Sequence, residues 1–297
     1  MQGHLDTVPQ LSNDFPRAHS VEQVDGSDLA AVRRHALHPV EPVLLRGYDP
    51  GGGSLQWTLS ALRARVGHAS IRVSTLDRGL FSTDSRAHER ALQYVTRSRM
   101  PLSDYLDLLD REPDTRAYMQ TQPLRALPQL AQDIDIPPPV VPPGRLVGSF
   151  LWVGPHGSAT PLHFDEVNNL LCVLQGAKRV VLFRPSDVVN LYPASVFERQ
   201  HAIASRINLL APDMTRFPRA ARAVPYEVVV EPGNALLLPA CWWHQVHNIG
   251  STIAVNHWWR PNLGQYSDPA VFYNVARAWM MSLVRFYRKN ISHTYVE

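Results

Sequence analysis

Apolar residues follow two different patterns along the chain, and the change falls at a proline-rich segment. Before it, short apolar runs that predict strands alternate with stretches of helical period. EPVLLRG at 41–47 and ASIRVSTL at 69–76 predict buried strands, whereas TLSALRARVG at 58–67 and SDYLDLLDRE at 103–112 predict helices. Ser103 is the predicted N-cap of the second helix. This portion is therefore predicted to be mixed α/β.

The segment PPPVVPPG at 137–144 has too many prolines for a helix or a central strand, so it predicts a stiff extended linker. After it come short apolar runs separated by turn residues, such as GSFLWVG, KRVVLFRP, YEVVVEPG and STIAVNHWW. Strands at this short spacing predict an antiparallel barrel or a double-sheet jelly roll. The predicted organisation is an N-terminal α/β region over 1–145 that packs on a mainly β core over 146–262.

A C-terminal helical segment is predicted over 263–297. Its helical pattern starts at Pro269, a residue that suits the first turn of a helix. The helix carries more apolar positions than one buried stripe needs: Val271, Val275, Ala278, Trp279, Met281 and Phe286. Two interpretations stay open, a helix packed on its own core and a helix through which two copies form a homodimer.

Composition excludes several classes of protein. Apolar residues make up 45% of the 297 residues, which is typical of a globular chain. No apolar run approaches the roughly 20 residues that span a membrane, and the N-terminus lacks a secretory signal pattern. We therefore expect a cytoplasmic protein with no membrane partner and with Cys172 and Cys241 as reduced core residues. The net charge of +3 does not by itself predict nucleic-acid binding.

The stretch TPLHFDEVNN at 160–169 places two metal-ligand side chains two residues apart. Side chains alternate along a strand, so His163 and Asp165 are predicted to share a face. A third ligand is available in CWWHQVHNIG, where His244 and His247 have opposite parity and only one of them can face the same way. Since Trp242, His244 and Val246 share a face, His244 is the predicted ligand and His247 the reserve.

Two histidines and one carboxylate match the facial site of non-haem Fe(II) oxygenases, which leaves positions open for a co-substrate and dioxygen. A three-ligand zinc site uses the same residue types. Lys178 is expected to follow a turn at Gly176 and to lie on a strand that pairs with the strand of Asn169. Its ammonium would then lie inside the barrel, where it needs an anion such as the distal carboxylate of a dicarboxylate. The alternative is a lysine whose stem packs while its head reaches water.

Several motifs in order resemble those of the Jumonji-C family of Fe(II)- and 2-oxoglutarate-dependent oxygenases, in its small cupin-like hydroxylase branch. They are TPLHFDEVNN, QGAKRVVLFRP, YEVVVEPGNALLLPACWWH and AVNHWW. The pattern is similar to that of the asparaginyl hydroxylase that represses hypoxia-inducible factor, and tRNA-hydroxylating relatives are nearby. The resemblance covers roughly residues 100 to 262. It implies a double-stranded β-helix, or cupin, core with Fe(II) as cofactor and 2-oxoglutarate and O2 as co-substrates.

The resemblance also implies roles for individual residues. The metal ligands and catalytic residues would be His163, Asp165 and His244. The C5 carboxylate of 2-oxoglutarate would be bound by Tyr118, Thr160 and Lys178. Residues beside the co-substrate would be Asn169 and Asn256, with Trp258 as a wall of the same pocket.

The implied reaction is hydroxylation of a protein or peptide side chain, coupled to decarboxylation of 2-oxoglutarate to succinate. Val167 stands where the asparaginyl hydroxylase has a glutamine that holds its target, so the identity of the substrate is not carried over. One alternative is the same chemistry on RNA, because Arg216, Arg219 and Arg222 in the long insertion 185–225 are suited to contact phosphates. N-methyl demethylation is another, and a non-catalytic cupin-like binding module is the alternative of a different class.

Overall fold

The computed structural model describes residues 10–76, 86, 88, 95–113, 115–197 and 203–291. Its strands are β1 (His19–Ser20), β2 (Glu22–Asp25), β3 (Val43–Arg46), β4 (Ser70–Leu76), β5 (Val95–Pro101), β6 (Ala117–Pro123), β7 (Leu146–Gly154), β8 (Ala159–His163), β9 (Asn168–Phe183), β10 (Tyr226–Val230), β11 (Ala235–Leu238) and β12 (Trp243–Trp259). Its α-helices are α1 (Leu29–Leu37), α2 (Leu59–Val66), α3 (Leu102–Arg111), α4 (Pro128–Ala131) and α5 (Pro269–Ile291).

The strands form one large mixed sheet. The main path runs β2-β3-β11-β9-β12-β7-β6-β4-β5, while β8 pairs with β12 and β10 joins β1 to β9. Strands β9 and β12 are antiparallel and pair along most of their length. Each also pairs with strands on its other side, β9 with β10 and β11, and β12 with β7 and β8. The predicted mainly β core with α/β elements before it and a helix after it is confirmed.

Strands β9 and β12, the two longest, each continue through a glycine with a positive φ. Gly176 in β9 has φ +67° and Gly250 in β12 has φ +71°. A Cβ at position 176 would lie 2.7 Å from the carbonyl oxygen of Ser251, so only glycine fits there without a shift of the backbone. The prediction that Lys178 and Asn169 lie on two neighbouring strands is wrong, because both are on β9.

The predicted helices form, with one correction at a terminus. Helix α2 begins after Thr58, whose side chain accepts a hydrogen bond from the backbone N–H of Ala61. Helix α3 begins at Leu102, directly after Pro101, so the prediction of Ser103 as its N-cap is wrong. The buried face of α3 carries Leu102, Tyr105, Leu106 and Leu109. These residues pack in the cluster that underlies β4, β6 and β7.

The proline-rich segment and the long insertion both contribute to the core. Val140 and Val141 are buried against a cluster that includes Trp259. The insertion places its apolar residues beside Phe164 and Trp243: Val188, Leu191, Ile207, Leu209 and Phe217. Because β6 pairs with β7, strands from both sides of residue 145 belong to one sheet. The division at 145 and 262 stays a prediction.

Helix α5 packs on the core along one side and exposes aromatic residues on the other. The buried side holds Val271, Asn274, Val275, Ala278 and Met281. The exposed large residues are Phe272, Tyr273, Trp279, Met280, Leu283, Phe286 and Tyr287. One side of the helix therefore packs on its own core, and a homodimer through the exposed side stays a prediction. Within the described residues, no helix has the length and apolar character needed to cross a membrane.

We expect Gly176→Ala to destabilise the fold more than Gly157→Ala. Both glycines have a positive φ, +67° and +73°, so the strain of placing alanine in the left-handed region is common to both. Only at 176 does the added Cβ also meet backbone atoms, whereas nothing lies within 4 Å of it at 157. The difference in the free energy of unfolding should be about 1–3 kcal/mol, measured by urea denaturation. Equal losses in the two variants would contradict the close approach of β9 to β12 at this glycine.

Candidate active site

A cavity of about 220 Å³ lies inside the barrel, between β9, β12 and the strands around them. All nine residues singled out from the sequence line it: Tyr118, Thr160, His163, Asp165, Asn169, Lys178, His244, Asn256 and Trp258. The remaining lining residues are Thr121, Trp152, Leu171, Val180, Leu236, Leu238 and Val246. Leucine and valine side chains thus form part of the wall, and polar groups are gathered at distinct places within it.

His163, Asp165 and His244 converge at one place in this cavity. Their ligand atoms all lie within 4.8 Å of one another. The two carboxylate oxygens of Asp165 each face one histidine, with Oδ1 3.9 Å from Nε2 of His163 and Oδ2 3.9 Å from Nε2 of His244. The pairing of β8 with β12 sets this arrangement, because His244 lies directly opposite His163 in the register. The three side chains are suited to bind one metal ion.

Both histidines are held in the tautomer that a metal requires. Nδ1 of His163 is 2.7 Å from the carbonyl oxygen of Pro161, and Nδ1 of His244 is 3.0 Å from that of Trp242. A carbonyl oxygen can only accept, so each Nδ1 carries a proton, and in the neutral imidazole the lone pair of each Nε2 is then left on the side of Asp165. The same local bond, to the carbonyl two residues earlier, therefore orients both imidazoles.

The surroundings of His244 keep it neutral. Burial lowers its pKa from 6.5 to about 4, and the neighbouring His163 adds to this effect, while Asp165 acts in the opposite direction. A neutral imidazole is the form that binds a metal. The side chains of His163 and Asp165 are 19% and 22% exposed, so the site is open on one side to a ligand.

The loop that precedes His244 is fixed by two hydrogen bonds to the segment that carries Asp165. Cys241, in the left-handed region with φ +66°, donates its N–H to the carbonyl oxygen of Asp165 at 2.8 Å. Ala240 donates its N–H to Oδ1 of Asn168 at 2.9 Å. Asn168 and Gln265 in turn exchange two amide hydrogen bonds, of 2.9 and 3.1 Å. The ligand positions 165 and 244 are thereby held together through the backbone.

A cationic group occupies another part of the cavity. Lys178 is only 2% exposed, and its Nζ donates to the hydroxyl oxygen of Tyr118 at 3.0 Å and to Oδ1 of Asn248 at 2.7 Å. Both partners are uncharged acceptors, and no carboxylate in the described part of the chain pairs with the ammonium. A buried charge without a counter-charge is costly, so this end of the cavity is suited to an anion.

The predicted asparagines lie together on the cavity wall. Asn256 donates from Nδ2 to Oδ1 of Asn169 at 2.8 Å, and Asn169 lies opposite Trp258 in the register of β9 and β12. The indole N–H groups of Trp258 and Trp152 are buried and have no acceptor within the described residues. The amide pair and the two indoles therefore form one part of the cavity wall.

Two functional residues were missed from the sequence. Asn248 accepts a hydrogen bond from Lys178, and it follows His244 and Val246 at the alternating positions of β12, so the same parity argument could have found it. Thr121 lines the cavity in the left-handed region, with φ +48°, where β6 shifts register against β7. No sequence signal marks Thr121, since threonine rarely adopts this conformation.

These observations agree with a divalent metal and a dicarboxylate in the cavity. The metal would be held by two neutral imidazoles and one carboxylate, a donor set with room for further ligands. A carboxylate of the second ligand would lie at the ammonium of Lys178, with the hydroxyls of Tyr118 and Thr160 near it. The fold and the cavity together define a jelly-roll protein in which two histidines and one carboxylate form a candidate metal site.

Comparison with known families agrees with this class. The Cupin-like domain family matches residues 29–265, and the chain therefore belongs to this family. The match includes every residue of the site described above.

Several curated proteins are similar to the chain. The "Jumonji C domain-containing protein 5" of Drosophila melanogaster is 35% identical over 138 residues, 45% of this chain and 34% of that protein. The human "HSPB1-associated protein 1" is 39% identical over 112 residues, 37% of this chain and 23% of that protein. The "Lysine-specific demethylase 8" of Xenopus tropicalis is 26% identical over 263 residues, 85% of this chain and 54% of that protein. The chain thus spans only part of the length of these relatives.

The structure places the reserve residue His247 on the opposite face of β12 from His244. It is 1% exposed, and its Nε2 is 2.7 Å from Nε2 of Gln245. Burial lowers its pKa from 6.5 to about 4, and the nearby Arg179 adds to the effect. His247 is therefore a neutral residue of the interior and is not brought to His163 and Asp165.

We expect His247→Gln to make the fold less sensitive to acid. Below pH 6.5 the unfolded chain takes up a proton at this histidine, whereas the folded chain does so only near pH 4. Stability therefore falls as the pH drops from about 6.5 to 4, by up to about 1.4 kcal/mol per pH unit for this group. Urea denaturation between pH 7.5 and 4.5 should show a shallower decline in the variant. The exposed control His68→Gln should keep the wild-type slope, and an unchanged slope in His247→Gln would refute the assignment.

Proposed function

We propose that this chain is an Fe(II)- and 2-oxoglutarate-dependent dioxygenase that hydroxylates a side chain of a protein or peptide. The observation that carries the proposal is one cavity that contains both the group of three candidate metal ligands and a buried ammonium with no counter-charge among the described residues. The family supports the cofactor, because the similar proteins include a Jumonji C protein and a demethylase by name. A zinc site would explain the triad, but it would leave the buried ammonium of Lys178 without a role.

In this proposal the three ligands hold the iron and the ammonium holds the distal carboxylate of the co-substrate. His163 and His244 bind through Nε2, and Asp165 binds through its carboxylate. Lys178 binds the anion, while Tyr118 and Asn248 fix the position of the ammonium by accepting hydrogen bonds from it. When bound, iron, 2-oxoglutarate and O2 together supply an oxidant that converts a C–H bond into C–OH, with succinate and carbon dioxide as the other products.

The walls of the cavity serve this chemistry by excluding water. Trp152 packs against Tyr118 with ring centroids 5.9 Å apart, and Phe150 packs against Trp258 at 4.7 Å. Leucine and valine side chains from β9, β11 and β12 close other parts of the wall. A dry, rigid wall protects a reactive species from solvent and strengthens the electrostatic contacts inside the cavity.

A second candidate is removal of an N-methyl group, because hydroxylation of an N-methyl carbon releases formaldehyde by the same chemistry. The name of the Xenopus tropicalis relative, lysine-specific demethylase 8, favours it. Hydroxylation of RNA is favoured by the exposed residues Arg216, Arg219 and Arg222 of the insertion. Mass spectrometry distinguishes these outcomes. Hydroxylation adds one oxygen atom to a polypeptide or to RNA, whereas demethylation removes a methyl group from its substrate.

We expect a visible charge-transfer absorption band when purified protein receives Fe(II) and 2-oxoglutarate under anaerobic conditions. His163→Ala should abolish the band, because one of three metal ligands is lost. Lys178→Ala should raise the 2-oxoglutarate concentration needed for half of the band by about 30-fold or more, because the anion loses its buried partner. Titration of the band in each protein measures both effects.

The matched control for these variants is His38→Ala, an exposed histidine outside the cavity, which should leave the band unchanged. Folding of each variant is checked by circular dichroism. A folded wild-type protein that binds iron but gives no band, and turns over no 2-oxoglutarate, would refute the dioxygenase proposal. The non-catalytic cupin-like module would then be the better explanation.

We expect Asn248→Ala to weaken the binding of 2-oxoglutarate and to leave the binding of iron unchanged. The variant deletes the 2.7 Å acceptor of the Lys178 ammonium, which then loses its fixed position. The co-substrate requirement should rise at least about 10-fold, because one hydrogen bond to a charged group contributes about 1.5–3 kcal/mol. Gln245→Ala is the control, a buried amide on the opposite face of β12. Equal effects of the two variants in the same titration would show that Asn248 acts only through the stability of the strand.

A further inference from the structure

The outer strands β4 and β5 carry a row of arginines on the same sheet face as Tyr118. Arg72 lies directly opposite Arg99, and Ser74 lies opposite both Arg97 and Tyr118. Residues directly opposite one another share a face, as do residues two apart in one strand. The three arginines therefore point to the side of the sheet on which Tyr118 enters the cavity.

Among the residues that the structure describes, these arginines have no counter-charge. Arg72, Arg97 and Arg99 are all exposed. Within the described part of the chain, none of them forms an ion pair. Like charges directly opposite each other destabilise an antiparallel pair, as Arg72 and Arg99 do here. An anionic partner from outside the chain would remove this repulsion.

Strand β5 also offers backbone groups to a partner. It is the last strand of the sheet path, and no described strand pairs with its outer edge. The N–H and C=O groups of such an edge are spaced to pair with another polypeptide in extended conformation. A nucleic acid has no backbone that continues the ladder. The arginine spacing fits the same partner, because Arg97 and Arg99 are two apart, the period of side chains along a strand.

The geometry points to an extended acidic polypeptide segment that adds to β5 as a further strand, with acidic side chains at alternate positions facing Arg97 and Arg99. The inference rests on the proposed function, because it identifies this segment as part of the polypeptide substrate. Three strand spacings of about 4.8 Å separate the added strand from β6, so the segment docks roughly 14 Å from the strand of Tyr118. A substrate chain spans that distance with about four or five residues.

The test uses a fluorescein-labelled ten-residue peptide of alternating glutamate and threonine, with the full-length protein. Anisotropy titrations compare wild type with Arg97→Glu/Arg99→Glu, which should bind the peptide at least about tenfold more weakly because attraction becomes repulsion. Hydrogen exchange should show slower exchange of backbone amides in β5 when the peptide is bound to wild type. A peptide with glutamine in place of glutamate should bind more weakly than the acidic peptide.

The matched control is Arg34→Glu/Arg125→Glu, with the same change of charge at two exposed arginines elsewhere, and it should keep wild-type affinity. Should the Arg97/Arg99 double glutamate variant fail to fold, Arg97→Gln/Arg99→Gln replaces it and should still lose affinity. Binding that is equal in all variants, or that does not protect β5, overturns the inference. Binding of decauridylate that is lost in the same variant, with no binding of the peptide, also overturns it and assigns the surface to RNA.

The charge-transfer titration of the same proteins separates this inference from the proposed function. Neither arginine lines the cavity, so the double variant should keep the wild-type band with Fe(II) and 2-oxoglutarate. A wild-type protein that gives the band but does not bind the acidic peptide refutes the docking surface alone. If the protein binds the peptide on β5 but gives no band, the dioxygenase proposal is refuted and the docking surface is still supported.

Discussion

The antiparallel pairing of β9 with β12 is the interaction on which the site depends. Its register sets Lys178 opposite Asn248 and Asn169 opposite Trp258, so one ladder positions the cationic part and the amide part of the cavity. Because side chains alternate along both strands, a slip of one residue would turn every one of these groups out of the cavity. The stability of the core and the geometry of the site are thus two consequences of a single register.

The polar groups inside the barrel are tolerated because most of them are held by neutral hydrogen bonds. The imidazoles bond to backbone carbonyls, and the ammonium of Lys178 bonds to a phenol and an amide. These bonds fix orientation but leave the charge of the lysine uncompensated. Lys178 is one of only two lysines in this arginine-rich chain, and the other is Lys289. A compact ammonium fits between Tyr118 and Asn248, where the planar guanidinium of arginine would need more room.

Parity along strands predicts much of the site, because it requires only local geometry. It separates His244 from His247 and pairs His163 with Asp165, and the structure brings together the set that it selects. What parity cannot supply is the course of the chain between strands. The continuation of β9 through Gly176 depends on close approach to Ser251, which no pattern in the sequence reveals. The burial of the insertion also depends on tertiary contacts that the sequence does not reveal. Its apolar residues follow no period and meet their partners only in the folded core.

Backbone strain is concentrated where the fold meets the ligands. Thr121 and Cys241 are among the few residues other than glycine with positive φ in the described chain, and each adjoins the cavity or its metal ligands. Such conformations cost of order 1–3 kcal/mol and persist only where the surroundings determine them. At Cys241 this conformation accompanies a hydrogen bond of 2.8 Å from its N–H to the carbonyl oxygen of Asp165. The turn delivers His244 to the start of β12 facing inward. The strain is therefore part of how two distant segments come to share one candidate metal site.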